Sequence, residues 1–135
     1  MSYKIDEIEG IGPSYAEKLA KAEIKTTNDF LNLCCDAKGR KTVAETCGVS
    51  EGQLLKWANL ADLMRVNGVG PQFSELLEAA GVDTVKELRN RNASNLAGKM
   101  AEVNEAKKLA RTAPAETVVE GWIQAAKTME PKISH

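Results

Sequence analysis

Histidine and aromatic residues are scarce in this chain of 135 residues. The one histidine is His135, the last residue, and chain ends tend to fray, so we expect no histidine-dependent catalysis. Aromatic residues amount to 4%, with two each of Trp, Tyr and Phe. The core is therefore predicted to be aliphatic.

Cysteine is also rare, and its number is odd. The three copies are Cys34, Cys35 and Cys47. An odd count argues against a disulfide framework. A zinc site takes four Cys or His ligands, which these residues do not supply without the terminal histidine. We expect no metal site and interpret the cysteines as small buried apolar residues.

Long apolar runs and a net positive charge are missing as well. No run approaches the roughly 18 residues of a membrane span, and the first seven residues lack a signal-peptide pattern. We expect a cytoplasmic protein with no membrane partner. Lys plus Arg number 18 against 19 Asp plus Glu, a net charge of −1. Any nucleic-acid binding must therefore come from a local patch.

The chain contains an internal repeat. Gly10–Leu19 matches Gly68–Leu77 at an offset of 58 residues, and over 21 aligned positions seven pairs are identical, including both glycines and the proline. Ordinary composition gives only about one or two such matches. A repeat of this length indicates two copies of one structural unit.

A second match, at an offset of 65 residues, superposes Trp57 on Trp122. Both tryptophans recur with small apolar residues at helical spacing, which predicts core positions rather than base-stacking platforms. The two matches divide the chain into two homologous units and a short tail, at residues 1–64, 65–131 and 132–135.

Helix signals run through both units. Pro13 follows Gly12 as the first residue of a helix, and Thr26, Ser50 and Thr84 each open a capping pattern. The segment from Asn92 to Arg111 is expected to be helical in its middle, and a last helix is expected to start at Pro114. No segment alternates with a period of two. We expect an all-α protein with eight to ten short helices.

The two glycine turns carry the strongest chemical signal. Ile8–Ala16 and Val66–Ser74 resemble the helix-hairpin-helix motif, in which glycines leave room for a phosphate and helix N–H groups point outward. In that family a pair of hairpins binds the DNA backbone without reading bases. The resemblance implies nucleic-acid contacts at Gly10, Ile11, Gly12, Ser14, Lys18, Arg65, Gly68, Val69, Gly70 and Gln72.

Further segments extend the resemblance over nearly the whole chain. Lys38–Ser50, Leu55–Arg65 and Val103–Lys108 resemble the uncharacterised bacterial family designated domain of unknown function 4332, whose members are tandem helix-hairpin-helix proteins. Related hairpin domains belong to nucleases, but metal-dependent cleavage needs several converging carboxylates. Here the acids are scattered. We expect a non-enzymatic protein with no cofactor, catalytic residue or small-molecule substrate.

The acidic net charge around the two glycine turns leaves two functions open. Residues 5–24 and residues 66–85 each carry a net charge of −3, and the second range has no Lys or Arg. The leading interpretation is weak, sequence-independent DNA binding through the hairpin amides. The alternative is a protein-interaction or assembly module with the hairpins as scaffold. Basic residues cluster elsewhere, at Lys38, Arg40 and Lys41, at Lys86, Arg89 and Arg91, and at Lys107, Lys108 and Arg111.

A minor alternative is a sequence-specific regulator. Residues 42–57 resemble a helix-turn-helix, with Gly48 at the turn. The second helix would expose Glu51, Gln53 and Lys56, a weak set for reading the major groove.

Overall fold

The computed structural model describes residues 2–134, so the expectations for His135 lie outside the described part of the chain. These residues form an all-α protein with one isolated β-bridge between Lys4 and Thr26 and no strand, which confirms the predicted fold class. A single 3₁₀ turn spans Ile5–Glu7. The helices are α1 (Pro13–Ala20), α2 (Thr27–Cys34), α3 (Ala37–Cys47), α4 (Glu51–Leu63), α5 (Pro71–Ala79), α6 (Val85–Leu88), α7 (Ala93–Lys107) and α8 (Glu116–Lys127).

The chain divides into two compact units. In its described residues, unit 1 comprises 2–62 together with 132–134, and unit 2 is Leu63–Pro131. In unit 1, α1 packs on α3 and on the 3₁₀ turn, and α2 packs on α3. In unit 2, α7 packs on α5 and α8, and α6 packs on α8. Each unit places one glycine turn at the start of a helix, α1 or α5.

The predicted capping residues begin their helices. The Thr26 hydroxyl accepts a hydrogen bond from the Asp29 N–H at 3.1 Å, and the Asp29 carboxylate accepts one from the Thr26 N–H at 3.1 Å. The Ser50 hydroxyl accepts from the N–H of Gln53 at 3.2 Å. Backbone donation, chiefly from the Lys25 N–H, lowers the pKa of Asp29. Each of these hydrogen bonds joins residues within one helical turn, so the sequence alone is enough to predict them.

One predicted helix start is wrong, that of α8, whereas α7 lies within the segment expected to be helical in its middle. α7 ends at Lys107, because Lys108 takes a left-handed conformation with φ 53°. The Asn104 side chain then accepts a hydrogen bond from the Ala110 N–H at 2.9 Å, which holds the chain out of the helix. α8 begins at Glu116 rather than at Pro114, after an extended N-cap residue with ψ 156°.

Aliphatic side chains dominate both cores. Unit 1 buries apolar residues from the 3₁₀ turn and α1–α4, including Ile8, Leu19 and Phe30, each at most 1% exposed. The core of unit 2 is contributed by α5–α8 and the segment before α5: Leu63, Val66, Val69, Leu76, Leu77, Ala80, Val82, Val85, Leu88, Leu96, Met100, Ala110, Val119, Trp122, Ile123 and Ala126. The prediction of an aliphatic core with one tryptophan in each unit is confirmed.

Arg40 is not part of a surface cluster, contrary to the sequence-based expectation. It is 4% exposed, and its guanidinium donates to the Cys34 carbonyl at 3.0 Å and to the Ser134 carbonyl at 2.7 Å. The Ser134 N–H donates to the Cys35 carbonyl at 2.8 Å. Residues 132–134 therefore pack within unit 1, and Arg40 holds them there.

Substituting Arg40→Met is expected to lower the free energy of unfolding by about 1–3 kcal/mol, since a buried group that loses its partner keeps its desolvation penalty. The apolar stem is retained, so the loss reports the guanidinium. Urea denaturation followed by circular dichroism measures it. Lys41→Met, at the exposed neighbouring position, is the control and should stay within about 0.5 kcal/mol of the wild type. Equal urea midpoints for the two variants would contradict the conclusion that Arg40 stabilises the packing of residues 132–134.

Candidate nucleic-acid interface

The first glycine turn joins the 3₁₀ segment to α1. Gly10 lies in the left-handed region at φ 93°, where a β-carbon is strained, and the Ile11 N–H donates to the Ile8 carbonyl at 3.0 Å. Gly12 is the N-cap of α1, with an extended backbone at φ −87° and ψ −174°. Pro13 is the first helical residue, as predicted.

The second turn repeats this backbone before α5. Gly68 has φ 93°, and the Val69 N–H donates to the Val66 carbonyl at 3.0 Å. Gly70 is the N-cap, at φ −93° and ψ −167°. Matching backbone angles and hydrogen bonds show that the sequence repeat is a structural repeat at the turns.

A tryptophan lies beneath each turn. A β-carbon on Gly10 would sit 3.2 Å from Nε1 of Trp57, and one on Gly68 would sit 3.2 Å from Nε1 of Trp122. The rings also contact the aromatic residue at the third position of the following helix. Ring centroids are 5.0 Å apart for Tyr15 and Trp57. Each turn is thus supported from below by its own unit.

Helix N–H groups remain available at both turns. The N–H groups of Ser14 and Tyr15 have no acceptor among residues 2–134, because the preceding N-cap is a glycine without a side chain. Gln72 and Phe73 repeat this at the start of α5. The unpaired N–H groups of all four residues lie at the N-terminus of their helix, which is the positive end of the helix dipole. Such an arrangement suits an anion.

Two residues of the predicted set act only through the shape of the turn. Ile11 is 3% exposed and Val69 is fully buried. The N–H group of each donates a hydrogen bond within its turn. Their side chains anchor the turns to the cores. The surface available to a ligand consists of the flanking glycines and the first residues of each helix.

The cations of the predicted set differ in position. Lys18 is half-buried on α1, with Nζ 5.4 Å from the centroid of the Tyr15 ring. Arg65 is half-buried, and its guanidinium donates to the Glu130 carbonyl at 2.9 Å. The contact of Lys18 with Tyr15 was missed in sequence, although the repeat already aligned Tyr15 with another aromatic residue.

Some residues of the three basic clusters form hydrogen bonds or ion pairs within the fold. Arg91 pairs with Glu87 at 3.0 Å and donates to the Gly81 carbonyl at 2.7 Å. With Arg40 buried, the first cluster keeps two exposed lysines on α3. The exposed basic residues of the three clusters are Lys38, Lys41, Lys86, Lys107, Lys108 and Arg111.

The three cysteines are two buried residues and one half-buried residue. Within residues 2–134, no group of three or more His, Cys, Asp or Glu side chains could hold a metal ion. All three thiols are free, and Cys34 and Cys47 are buried. Burial raises the pKa of Cys34 to about 12, which keeps that thiol neutral. In the described part of the chain, none of the helices has the length and apolar character that crossing a membrane requires.

The segment predicted as a helix-turn-helix forms α3, a turn and α4. Gly48 ends α3 in a left-handed conformation at φ 70°. Glu51 and Lys56 of α4 are exposed, and Gln53 is half-buried. Large exposed apolar side chains in the described residues are Tyr15, Leu33 and Val118, one on each of three helices.

This is an all-α protein with a repeated turn that presents unpaired helix N–H groups above a buried tryptophan. The chain belongs to the family designated domain of unknown function 4332, whose family model matches residues 9–129. Neither the curated proteins nor the solved structures contain a significant match to it.

Proposed function

We propose that this protein binds DNA weakly and without sequence preference, through the backbone amides of its glycine turns. The observation that carries the proposal is Gly12. Its extended backbone is open to any residue, and a β-carbon there would meet nothing within 4 Å. Beyond the general acceptance of glycine as an N-cap, neither the backbone angles nor the packing gives a reason for glycine at this position. A ligand that approaches the backbone closely does give one.

Comparison with the other helices supports this reading. α2, α3, α6 and α7 begin with a capping side chain, from Thr26, Asp36, Thr84 and Asn92. α8 has no cap but carries Glu116 in its first turn. Among the helices whose starts are described in this way, α1 and α5 have neither a cap nor an acidic first turn.

A glycine N-cap lacks the side-chain acceptor of Ser, Thr, Asp or Asn, at a cost on the order of a few tenths of a kcal/mol. Among the helix starts described above, α8 also lacks a cap but has Glu116 in its first turn, so only the two glycine turns lack both a cap and an acidic residue. A phosphate from outside can accept the N–H groups that no side chain caps, at the positive end of the helix dipole. Backbone donors contact phosphates and not base edges, so the binding carries no sequence information.

Weak binding follows from the surrounding charge. Each turn region has a net charge of −3, and α1 contributes one cation, Lys18, that lies against the Tyr15 ring. Few phosphates are neutralised, and little counterion is released. The protein-interaction alternative shares the same turns as scaffold, and it is separated from DNA binding by the experiment below.

Fluorescence anisotropy of a labelled duplex, titrated with the full chain at about 50 and 200 mM salt, tests the proposal. We expect binding at the lower salt that weakens at the higher salt and is equal for two unrelated sequences. Absence of binding at the lower salt, even at high protein concentration, would overturn the proposal and leave the protein-interaction alternative.

Gly12→Val places the binding at the turn. The valine side chain enters the space beside the unpaired N–H groups without an internal clash, so we expect at least a tenfold loss of affinity, with stability lowered by only about 1 kcal/mol through the poorer N-cap. Gly98→Val is the matched control, since Gly98 is exposed on α7 and its β-carbon also meets nothing within 4 Å. Equal affinities for the two variants would move the binding site away from the first turn.

A further inference from the structure

The two glycine turns share a backbone but differ in the side chains around it. The repeat aligns Ser14 with Gln72, both exposed, and Tyr15 with Phe73. It aligns Lys18 with Leu76. This last pair changes a cation into an apolar residue at the position one turn into the helix.

Tyr15 holds the Lys18 ammonium near the start of α1. Nζ lies 5.4 Å from the centroid of the Tyr15 ring, within cation–π range. Long helical side chains lean toward the N-terminus of their helix, which is the direction of the unpaired N–H groups. The tyrosine ring is fixed in turn by its edge contact with Trp57 at 5.0 Å between centroids.

The second turn has no counterpart to this cation. Leu76 is fully buried in the core of unit 2, so its position cannot carry a charge toward the turn. Residues 66–85 contain three acids and neither Lys nor Arg. A phosphate at this turn would meet like charge, and the adjacent Arg65 already donates to the Glu130 carbonyl.

A further polar group lies under the first turn. Nε1 of Trp57 is buried and has no hydrogen-bond partner, and it faces the turn 3.2 Å from where a β-carbon of Gly10 would be. Its N–H adds a positive edge below the glycines. The first turn thus combines unpaired backbone donors, a positioned ammonium and a buried indole donor. Trp122 places its Nε1 equally close to Gly68, so the ammonium of Lys18 is the feature that distinguishes the two turns.

From these differences we infer that the two turns divide their roles: the first contacts phosphate and the second is structural. This inference rests on the proposed function and specifies its ligand. The ligand is a short stretch of one strand, with one or two phosphates at the N–H groups of Ser14 and Tyr15 and at Lys18. Tyr15 is a positioning residue for Lys18.

A pair of matched variants tests the division. Ser14→Glu and Gln72→Glu each place a carboxylate at the second residue of a helix, where it suits the helix dipole and preserves the fold. Both add the same charge at an exposed position. In duplex anisotropy at about 50 mM salt, we expect at least a tenfold loss of affinity for Ser14→Glu and less than a twofold change for Gln72→Glu.

The positioning role has its own readout. Tyr15→Phe retains the ring and should bind as the wild type does, whereas Tyr15→Leu should lose about threefold and show a shallower salt dependence. For the wild type, one or two phosphates predict a slope of log affinity against log salt of about −1 to −2. A duplex and one of its strands should bind with affinities within about threefold of each other.

The outcomes separate this inference from the proposed function. Equal losses for the two glutamate variants, or a wild-type slope of about −4 or steeper, would overturn the division of roles while DNA binding stands. A wild type that does not bind either DNA at low salt would overturn both. Loss with Ser14→Glu alone, with the shallow slope, supports the assignment.

Discussion

Replacing Trp57 by alanine is expected to lower the free energy of unfolding by about 3–5 kcal/mol, as for other fully buried aromatic residues. The ring is 0% exposed. It contacts Tyr15 at 5.0 Å and Phe30 at 6.5 Å between centroids, and it lies beneath Gly10. Its removal leaves a cavity below the first turn, and neighbouring rings cannot fill it without leaving their own contacts.

Urea denaturation followed by far-UV circular dichroism measures this loss, and the fluorescence of Trp122 reports on unit 2 in the same titration. Trp57→Phe is the control. Because Nε1 of Trp57 has no acceptor, its removal leaves no unpaired partner, and we expect the phenylalanine variant to lose less than half as much. A loss as large as that of alanine would mean that the indole N–H is hydrogen-bonded in solution.

Substituting Gly10→Val is expected to lower the free energy of unfolding by about 2–4 kcal/mol. The residue sits at φ 93°, which a β-branched side chain adopts only with strain. Its β-carbon would also press on Nε1 of Trp57 at 3.2 Å, a contact that adds overpacking. Gly68 has the same angle and the same distance to Trp122, so Gly68→Val should show a similar loss.

Thermal and urea unfolding of Gly10→Val and Gly12→Val separate folding from binding within one turn. Gly12 has an extended backbone and open space at its β-carbon, so its valine variant should lose only about 1 kcal/mol, the cost of a poorer N-cap. Equal stabilities of the two variants would show that the turn tolerates a side chain at Gly10 and would refute the packing argument.

Much of this fold is predictable from the sequence because its signals are local. Capping by Thr26, Ser50 and Thr84 depends on a few neighbouring residues, and Pro13 and Gly10 act through their own backbone angles. The sequence does not fix the end of α7, where the Asn104 side chain, six residues away, accepts a hydrogen bond from the Ala110 N–H. No local rule anticipates that hydrogen bond.

The candidate site divides in the same way. The repeat and its glycines located both turns, and the shared offsets of Gly and Trp suggested one architecture for both. Tertiary packing decides which helix N–H donors stay unpaired and which Lys and Arg side chains stay exposed. Lys18 rests on an aromatic ring, Arg65 is bound to a carbonyl of unit 2, and Arg40 is buried as a clamp.

By itself, the sequence determined the helical class, the tandem repeat and the two glycine turns. These follow from hydrophobic periodicity, capping chemistry and residue-specific backbone freedom, which act over a few residues. The tertiary structure decided that Ile11 serves the core, that Arg40 holds residues 132–134, and that a tryptophan supports each turn. Contacts between residues distant in the chain set burial and hydrogen-bond pairing, and a residue's type alone does not contain that information.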